Sequence, residues 1–252
     1  MRAMRALRAL LLICAAADGL NPARKVMLIR HAESEHNEAE RNWDLRGLLL
    51  KRDHGITERG YVQCDALQAY VAEQRADAAS PWADARLELY ASPLTRAIQT
   101  ALIATDGIDK PLVLLPDARE LGAGPIAGRD SLGAAVGVLE ILDRVSDESA
   151  RPLEIERVEA ARCERRWWSR WEPHVRARRR VDRFLGELAD GEGPAAVVCH
   201  SLLIRSILKR HCPDDGDLSR GLIPNCSVLA LDVSRDGDGV RLANPALAFS
   251  PA

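Results

Sequence analysis

The chain has 252 residues, of which 47% are apolar and 29% are charged. These values are typical of a globular protein with one α/β domain of ordinary size, and they exclude a small scaffold that depends on disulfides. The formal net charge of −2 gives no support for nucleic acid or an anionic membrane as the main partner. The six cysteines are widely scattered, which favours buried thiols over a disulfide framework or a zinc site.

Residues 1–20 differ in composition from the rest of the chain. Arginines precede an apolar run from Leu10 to Ala17, and three alanines stand before Asp18. This layout is typical of a secretory signal, while its arginines and its lack of acids also suit an organelle transit peptide. The run is too short to span a bilayer as a helix. We predict a targeting segment or a disordered tail at 1–20, with a cytoplasmic location if the segment is a tail.

Short apolar runs alternate with helical patterns along the rest of the chain. Thr57 is suited to cap a helix whose apolar face is predicted to carry Val62, Ala66, Ala69 and Tyr70. Two further helices are predicted, one that Pro93 opens and that runs to about residue 104, and one at 202–210. The predicted strands are residues 25–30, 87–91, 112–115, 195–199, 228–233 and 240–243.

This alternation predicts a single α/β domain over residues 24–246. We expect a three-layer sandwich in which helices cover both faces of a mainly parallel central sheet. Between residues 128 and 183 the pattern is mostly helical and contains no convincing strand. We therefore expect a helical insertion between the third and fourth strands, and not a second domain.

Two of the predicted strands end at a histidine. The first runs into Arg30-His31 and the fourth into His200, while Arg96 lies in the first turn after the second strand. Ligands of open α/β sheets bind beyond the carboxyl ends of the strands, and helix N-termini at that edge favour anions. The sequence therefore predicts that two histidines and two arginines converge on one anionic group.

Three segments that carry these residues together resemble one known family. R-H-A-E-S-E-H-N, A-S-P-L-T-R-A-I-Q-T-A and V-V-C-H-S are similar to the motifs of the histidine phosphatase superfamily, also called the phosphoglycerate mutase-like family. The resemblance runs from about Val26 to Val233 and includes H-G-I-T-E-R-G-Y-V-Q and N-C-S-V-L. The family more usually has glycine where this chain has Ala32, and often where it has Ser201. Neither replacement removes a charged group, so we expect activity to survive.

The resemblance implies covalent catalysis through a phosphohistidine on His31. Arg30 and Arg96 would bind the phosphate, because the planar guanidinium fork matches its oxygens and keeps its charge. His200 would be a further donor that stabilises the transferring group. The surrounding positive charge favours a neutral His31 with a free lone pair, as a nucleophile requires. Neither a metal nor another cofactor is expected.

The resemblance also implies a carboxylic acid that protonates the leaving oxygen. Glu120, in L-L-P-D-A-R-E-L-G, best matches that position, and Asp117 is the reserve candidate. Asn37 matches the family's asparagine in the first loop and is expected to contact phosphate. Ser34 and Arg119 are weaker candidates for further contacts.

The leading hypothesis is a phosphomonoester hydrolase that acts on a phosphorylated small molecule or a phosphoprotein of unknown identity. A cofactor-dependent phosphoglycerate mutase is the alternative, although the region from Gly122 to Arg151 does not resemble the longer insertion of mutases. A non-catalytic protein that binds phosphorylated ligands is a third hypothesis. No nucleic acid or membrane partner is expected, and the sequence gives no prediction of the oligomeric state.

The remaining histidines and a run of arginines receive simpler interpretations. His36, His54, His174 and His211 are interpreted as incidental, although His54 lies near the first loop in sequence. Nine arginines accompany Trp167, Trp168 and Trp171 between residues 162 and 183. We favour a helix that buries tryptophans and solvates its arginines, and we keep open a basic lid over an anionic substrate.

Overall fold

A computed structural model of the protein describes residues 23–50, 52–122, 138–164, 167, 172–213, 218 and 220–251. The predicted targeting segment, Trp168, Trp171 and residues 123–137 of the region compared with the mutase insertion lie outside these ranges. Within them, no helix is long and apolar enough to cross a membrane.

The strands of the described chain form one sheet of seven, in the order β4-β3-β2-β5-β1-β6-β7. The five strands from β4 to β1 run parallel, whereas β6 and β7 are antiparallel to their neighbours. This arrangement confirms the predicted mainly parallel sheet. The strands are β1 (Arg24–Arg30), β2 (Glu88–Ala91), β3 (Leu112–Leu114), β4 (Val158–Glu159), β5 (Ala195–Cys199), β6 (Val228–Asp236) and β7 (Gly239–Phe249).

Helices cover both faces of this sheet, as predicted. Alternate residues of β1 enter two separate cores: Met27 and Ile29 pack with one set of helices, Val26 and Leu28 with the other. Helices α3 and α4 belong to the first core, α6 and α7 to the second. The helices are α1 (Glu35–Asn42), α2 (Leu45–Leu50), α3 (Glu58–Ala76), α4 (Thr95–Ala104), α5 (Val138–Asp147), α6 (His174–Asp190) and α7 (Ser201–His211).

Thr57 caps α3 as predicted, but the predicted buried face of this helix is wrong. Val62 is 67% exposed, while Tyr61, Cys64 and Leu67 are buried. The helix is orientated by Gly60, because a Cβ there would lie 2.4 Å from the carbonyl oxygen of Glu33. The close approach of α3 to the loop after β1 thus determines which side of the helix is buried. The spacing of apolar residues in the sequence cannot predict this contact.

The expectation that no strand lies between residues 128 and 183 is also wrong. Strand β4 is only two residues long, and it pairs with β3 through Leu112↔Val158 and Val113↔Glu159. So short a strand has no periodic pattern of its own, and its pairing depends on the open edge of β3. The predicted helical insertion is otherwise present as α5 and α6.

The opposite edge of the sheet is the long strand β7, which extends beyond the predicted residues 240–243. Its pairing with β6 is irregular where Asp232 pairs with Ala243 and Ala230 with Ala246. Asn244 and Pro245 lie between these pairs, and Asn244 has a φ of 52°. This part of the edge is therefore a β-bulge.

Candidate active site

His31 and His200 lie side by side because their strands are neighbours. β1 and β5 pair in parallel with Arg30 opposite Cys199, so the next residue of each strand leaves the same edge of the sheet. The His31 N–H donates to the Cys199 carbonyl at 3.0 Å, and the two ring centres are 5.0 Å apart. Both side chains are buried. The predicted convergence of these histidines is present.

The contacts of His31 define its tautomer. Its Nδ1 lies 2.6 Å from the carbonyl oxygen of Ala32, which can only accept a hydrogen bond. Its Nε2 lies 3.2 Å from Nε of Arg96, which can only donate. Nδ1 therefore carries the proton and Nε2 carries the lone pair. A neutral imidazole with this lone pair is suited to nucleophilic attack.

Arg96 reaches His31 from the first turn of α4, which begins at Thr95, two residues after the predicted start at Pro93. The helix N-terminus is capped by a residue distant in sequence. Asp53 accepts hydrogen bonds from the Thr95 N–H at 2.8 Å and from its hydroxyl at 3.1 Å. One turn later, Oγ1 of Thr100 accepts from the Ala32 N–H at 3.0 Å. Helix α4 thus binds the loop that carries His31.

Arg30 lies at the carboxyl end of β1. Only some of its guanidinium N–H groups form hydrogen bonds with the described residues. Its Nη1 donates to the Ile223 carbonyl at 2.5 Å, while its Nε is buried without a partner among the described residues. Burial lowers the pKa of Arg30, whereas the nearby Glu120 carboxylate opposes this change. Arg30 and Glu120 therefore share one electrostatic environment.

His200 is oriented by a serine on the neighbouring strand end. Its Nε2 lies 2.7 Å from Oγ of Ser92, which directly follows β2. Its Nδ1 is buried without a partner among the described residues. Burial, reinforced by the positive charge of Arg96, lowers the pKa of His200 well below its ordinary value. His200 is therefore neutral at neutral pH.

Glu120 lies at the N-terminus of α7. Its carboxylate accepts hydrogen bonds from three backbone N–H groups: Leu121 at 2.9 Å, Leu202 at 3.2 Å and Leu203 at 3.0 Å. Burial raises the pKa of Glu120 above its ordinary value, even though these donors and Arg96 act in the opposite direction. The carboxyl group thus keeps its proton to a higher pH than an exposed glutamate does.

Asp117, the reserve acid, faces elsewhere. Its carboxylate accepts from Nε and Nη2 of Arg183 at 3.0 and 3.1 Å, so it pairs with an exposed arginine of α6. The guanidinium of Arg119 donates to Glu172 at 2.7 Å, so this group is already paired with a carboxylate. The geometry therefore favours Glu120 as the acid near His31.

Asn37 and Ser34 form the capping box of α1 beside the site. Oδ1 of Asn37 accepts from the Ser34 backbone N–H at 3.3 Å, and the Asn37 N–H donates to Oγ of Ser34 at 3.4 Å. Asn225 joins this box to the nucleophile, because its Nδ2 donates to the His31 carbonyl at 2.9 Å and to Asn37 Oδ1 at 3.4 Å. Asn225 is the first residue of the N-C-S-V-L segment, whose sequence pattern predicts a strand and no role for this side chain.

Arg180 is the second residue whose role the sequence analysis missed. It lies in the arginine-rich segment and was expected to be solvated, yet only 2% of it is exposed. Its guanidinium donates to the carbonyls of Asp117 and Arg119 at 2.8 Å and of Glu120 at 3.3 Å. It also forms a two-point ion pair with Glu172, at 2.8 and 2.7 Å. Arg180 therefore holds the loop that presents Glu120.

The other described arginines of the segment are mostly exposed, as expected, but the favoured single helix is wrong for Trp167, which precedes the start of α6 at His174 and is not helical. Arg176, Arg178 and Arg179 are exposed, while Trp167 is buried. The remaining tryptophans and Arg165, Arg166 and Arg170 lie outside the described residues, so the lid hypothesis stays a prediction there.

The four histidines interpreted as incidental lie on other parts of the fold. His36 and His54 are buried with ring centres 5.5 Å apart, and His54 Nε2 lies 3.2 Å from the Gly47 carbonyl. His174 is exposed at the start of α6, and His211 is half-buried at the end of α7. Among the described residues, no group of three or more histidine, cysteine or carboxylate side chains is arranged to hold a metal ion.

An α/β sandwich with two histidines and two arginines at the carboxyl edge of its sheet defines a class of phosphate-handling proteins. The family model of the histidine phosphatase superfamily (branch 1) matches residues 26–245. The chain therefore belongs to this superfamily, which confirms the resemblance drawn from its motifs.

Individual relatives are more distant. A putative phosphoserine phosphatase 2 from Hydrogenobacter thermophilus is 30% identical over 107 residues, which are 42% of this chain and 44% of that protein. The match thus spans less than half the length of this curated relative. Two solved structures share the fold at lower identity, a mycobacterial glucosyl-3-phosphoglycerate phosphatase and a phosphoglycerate mutase from Bacillus anthracis.

These two structures match nearly the whole chain. The phosphatase has a TM-score of 0.52 at 18% identity and covers 91% of this chain and 100% of its own. The mutase has a TM-score of 0.54 at 17% identity and covers 89% of this chain and 93% of its own. At such identities the similarity shows the fold alone.

Proposed function

We propose that the chain is a phosphomonoester hydrolase that forms a phosphohistidine on His31. The observation that carries this proposal is the position of His31 Nε2, which lies 3.2 Å from Nε of Arg96 on a ring whose centre is 5.0 Å from that of His200. In addition to burial, the positive charges of Arg30 and Arg96 both lie near enough to lower the pKa of His200. A neutral nucleophile beside two fixed positive charges is suited to attack on a phosphate dianion.

Three groups would hold the transferring phosphoryl group. The guanidinium groups of Arg30 and Arg96 supply charge-assisted hydrogen bonds, and Nε of Arg30 has no partner among the described residues. His200, neutral and bonded to Ser92 through Nε2, has its other ring nitrogen buried and unpartnered. With a proton on Nδ1, His200 donates to a phosphoryl oxygen. When phosphate binds, the Arg96 N–H moves from His31 Nε2 to a phosphoryl oxygen, which frees the lone pair of His31 for attack.

In the first step, His31 Nε2 forms a bond to phosphorus while the bond from phosphorus to the leaving oxygen breaks. The leaving oxygen takes the proton of the Glu120 carboxyl group. The raised pKa of Glu120 increases the fraction of the enzyme that holds this proton near neutral pH. The products are the free alcohol, phospho-His31 and the Glu120 carboxylate.

In the second step, a water oxygen forms a bond to phosphorus while the phosphorus–nitrogen bond breaks. Glu120 takes a proton from the attacking water and so returns to its starting state. His31 recovers its lone pair on Nε2, and inorganic phosphate leaves. Each step is an in-line transfer in which positioning and electrostatics supply most of the acceleration.

Rapid-quench labelling with a phosphorus-labelled ester tests this proposal. We expect the wild type to give an acid-labile, base-stable phosphoenzyme, and we expect His31→Ala to give none. His211→Ala, which removes a histidine far along α7, is the matched control and should label normally. A wild type that neither labels nor hydrolyses any ester of a broad panel would contradict the proposal.

The same labelled enzyme distinguishes the alternatives. The hydrolase predicts that water discharges phospho-His31 and releases phosphate, whereas the mutase hypothesis predicts transfer to a phosphoglycerate acceptor. Tight phosphate binding without label or turnover would favour the non-catalytic hypothesis. The relatives named as phosphatases of phosphoserine and glucosyl-3-phosphoglycerate favour hydrolysis of a small phosphorylated molecule.

A further inference from the structure

A cleft of about 850 Å³ lies between α6 and α7. One face of each helix lines the cleft. On both helices, lining residues follow the spacing i, i+3, i+4 and i+7, which is that of a single helical face. The α6 face comprises His174, Ala177, Arg178 and Val181, and the α7 face comprises Leu202, Arg205, Ser206 and Lys209.

One end of this cleft lies beside Glu120, which does not itself line the cleft but contacts two residues that do. Leu121 and Leu202 line the cleft, and both donate their backbone N–H groups to the Glu120 carboxylate, at 2.9 and 3.2 Å. In the proposed reaction the leaving oxygen must contact Glu120 to receive its proton. An alcohol portion that extends from Glu120 past Leu121 and Leu202 would enter this cleft.

The cleft carries unpaired positive charge. Arg178, Arg205 and Lys209 make no hydrogen bond or ion pair with the described residues, and Nε of Arg205 is buried. Glu172 also lines the cleft, but its carboxylate is taken up by Arg119 and Arg180.

This pattern differs from that of an ordinary solvated surface. Arg205 is half-buried, and four other arginines of similar exposure, Arg119, Arg144, Arg157 and Arg235, each have a carboxylate partner. A buried guanidinium N–H without an acceptor costs free energy, which a bound anion would recover. The apolar side chains of Leu121, Val181 and Leu202 leave the start of the cleft suited to a carbon chain.

We propose that this cleft binds the alcohol portion of the substrate and selects alcohols that carry a second anionic group, a carboxylate or a phosphate. The inference rests on the proposed function, because it uses Glu120 as the proton donor. Arg205 and Lys209 follow Leu202 by three and seven residues along α7, so the second anion lies roughly 5 to 10 Å beyond the cleft entrance. Arg205 and Lys209 thus become specificity-determining residues.

Two matched esters test the inference: hexyl phosphate and the phosphate ester of 6-hydroxyhexanoate, which differ only in the terminal carboxylate. We expect the wild type to hydrolyse the carboxylate ester with a kcat/KM at least about tenfold higher, as one charge-assisted hydrogen bond supplies. Arg205→Ala should lower kcat/KM for the carboxylate ester much more than for hexyl phosphate and so remove most of this preference, and Lys209→Ala should reduce the preference less.

Arg241→Ala is the control for net charge. Arg241 is an exposed residue of β7 that alternates with the buried Leu242, so it lies on the other face of the sheet from the cleft. This variant loses the same unit of charge and should keep the full preference. A preference that falls equally in Arg241→Ala and Arg205→Ala would overturn the inference.

Two further outcomes separate this inference from the proposed function. Equal kcat/KM for the two esters in the wild type, with normal labelling of His31, would overturn the cleft proposal and leave the hydrolase standing. Absence of both turnover and label would overturn the hydrolase and the cleft proposal together. Replacing the carboxylate by a second phosphate in the ester shows which of the two anions the cleft prefers.

Discussion

The loops that carry the nucleophile and the acid are held in different ways. At the end of β1 and just after it, the backbone N–H groups of Arg30, His31 and Ala32 donate to Ser227, Cys199 and Thr100, which belong to three different parts of the fold. In the loop of Glu120, by contrast, three carbonyl groups bind the single side chain of Arg180. The position of the nucleophile is therefore set by backbone contacts with several segments, whereas the loop backbone of the acid depends on one buried arginine, and its carboxylate on the N–H groups of Leu121, Leu202 and Leu203.

This difference means that the two catalytic functions can be disturbed separately. Substitutions around Glu120 should affect proton transfer and spare the formation of phosphohistidine from esters with good leaving groups. Substitutions around His31 should have smaller effects, because several backbone contacts share the same task.

Glu120→Gln should give the largest effect on the acid side. We expect kcat for an alkyl phosphate to fall by about 10²- to 10⁴-fold, since the variant cannot donate a proton. p-Nitrophenyl phosphate should lose much less, because its leaving group needs no proton. Rapid-quench labelling with both esters measures the difference. Equal losses for the two esters would show that Glu120 positions the phosphate and is not the acid.

The pH profile provides a second measure of Glu120. Because its pKa is raised, the acid form is lost only as pH rises through that elevated value. The rate of the first step on an alkyl ester should therefore decline on the alkaline side, and this decline should be absent in Glu120→Gln. A profile unchanged by the substitution would contradict the assignment.

Arg180→Met should have the next largest effect. Removing one partner of a buried ion pair leaves the other charge uncompensated, so we expect the free energy of unfolding to fall by about 3–5 kcal/mol. The loop of Glu120 loses its anchor as well, so alkyl phosphate turnover should fall more than p-nitrophenyl phosphate turnover. Urea denaturation and the paired esters measure the two effects.

Arg183→Met is the matched control for Arg180. It lies on the same helix and pairs with Asp117, but its side chain is 63% exposed. We expect a loss of less than about 1 kcal/mol, because exposed ion pairs contribute little. Similar losses in both variants would show that burial of Arg180 has no special role.

Thr100→Val should give the smallest effect of the series. It leaves the buried Ala32 N–H without its acceptor, at a cost of about 1–3 kcal/mol in the free energy of unfolding. The neighbouring backbone contacts remain, so kcat should change by less than about tenfold. Thr100→Ser keeps the hydroxyl and should retain most of the stability. A loss of activity as large as that of Glu120→Gln would contradict the shared support of His31.

Much of the fold can be predicted from the local pattern of apolar residues in the sequence. The buried apolar runs of β1 and β5 end directly at His31 and His200, so strand prediction alone places the two histidines at one edge. The two-residue β4 and the buried face of α3 could not be predicted in this way. Both depend on contacts with distant segments, the edge of β3 and the carbonyl group of Glu33.

Two residues of the candidate site also depend on contacts with distant segments, which the local sequence does not predict. Arg180 is one arginine among many in its segment, and nothing in the local sequence separates it from its exposed neighbours Arg178 and Arg179. Its burial requires Glu172 and three carbonyl groups from the loop at 117–120. Asn225 likewise acts through the backbone of His31, a contact between residues that are 194 positions apart.

The bulge at Asn244–Pro245 affects how molecules of this protein meet in concentrated solution. β7 is a long outer strand, and a straight strand of this length is a template on which another chain could add. Pro245 has no N–H to offer, and the bulge bends the strand near its middle. An incoming strand would find only two short stretches on either side of the bend, which protects the protein from edge-to-edge aggregation.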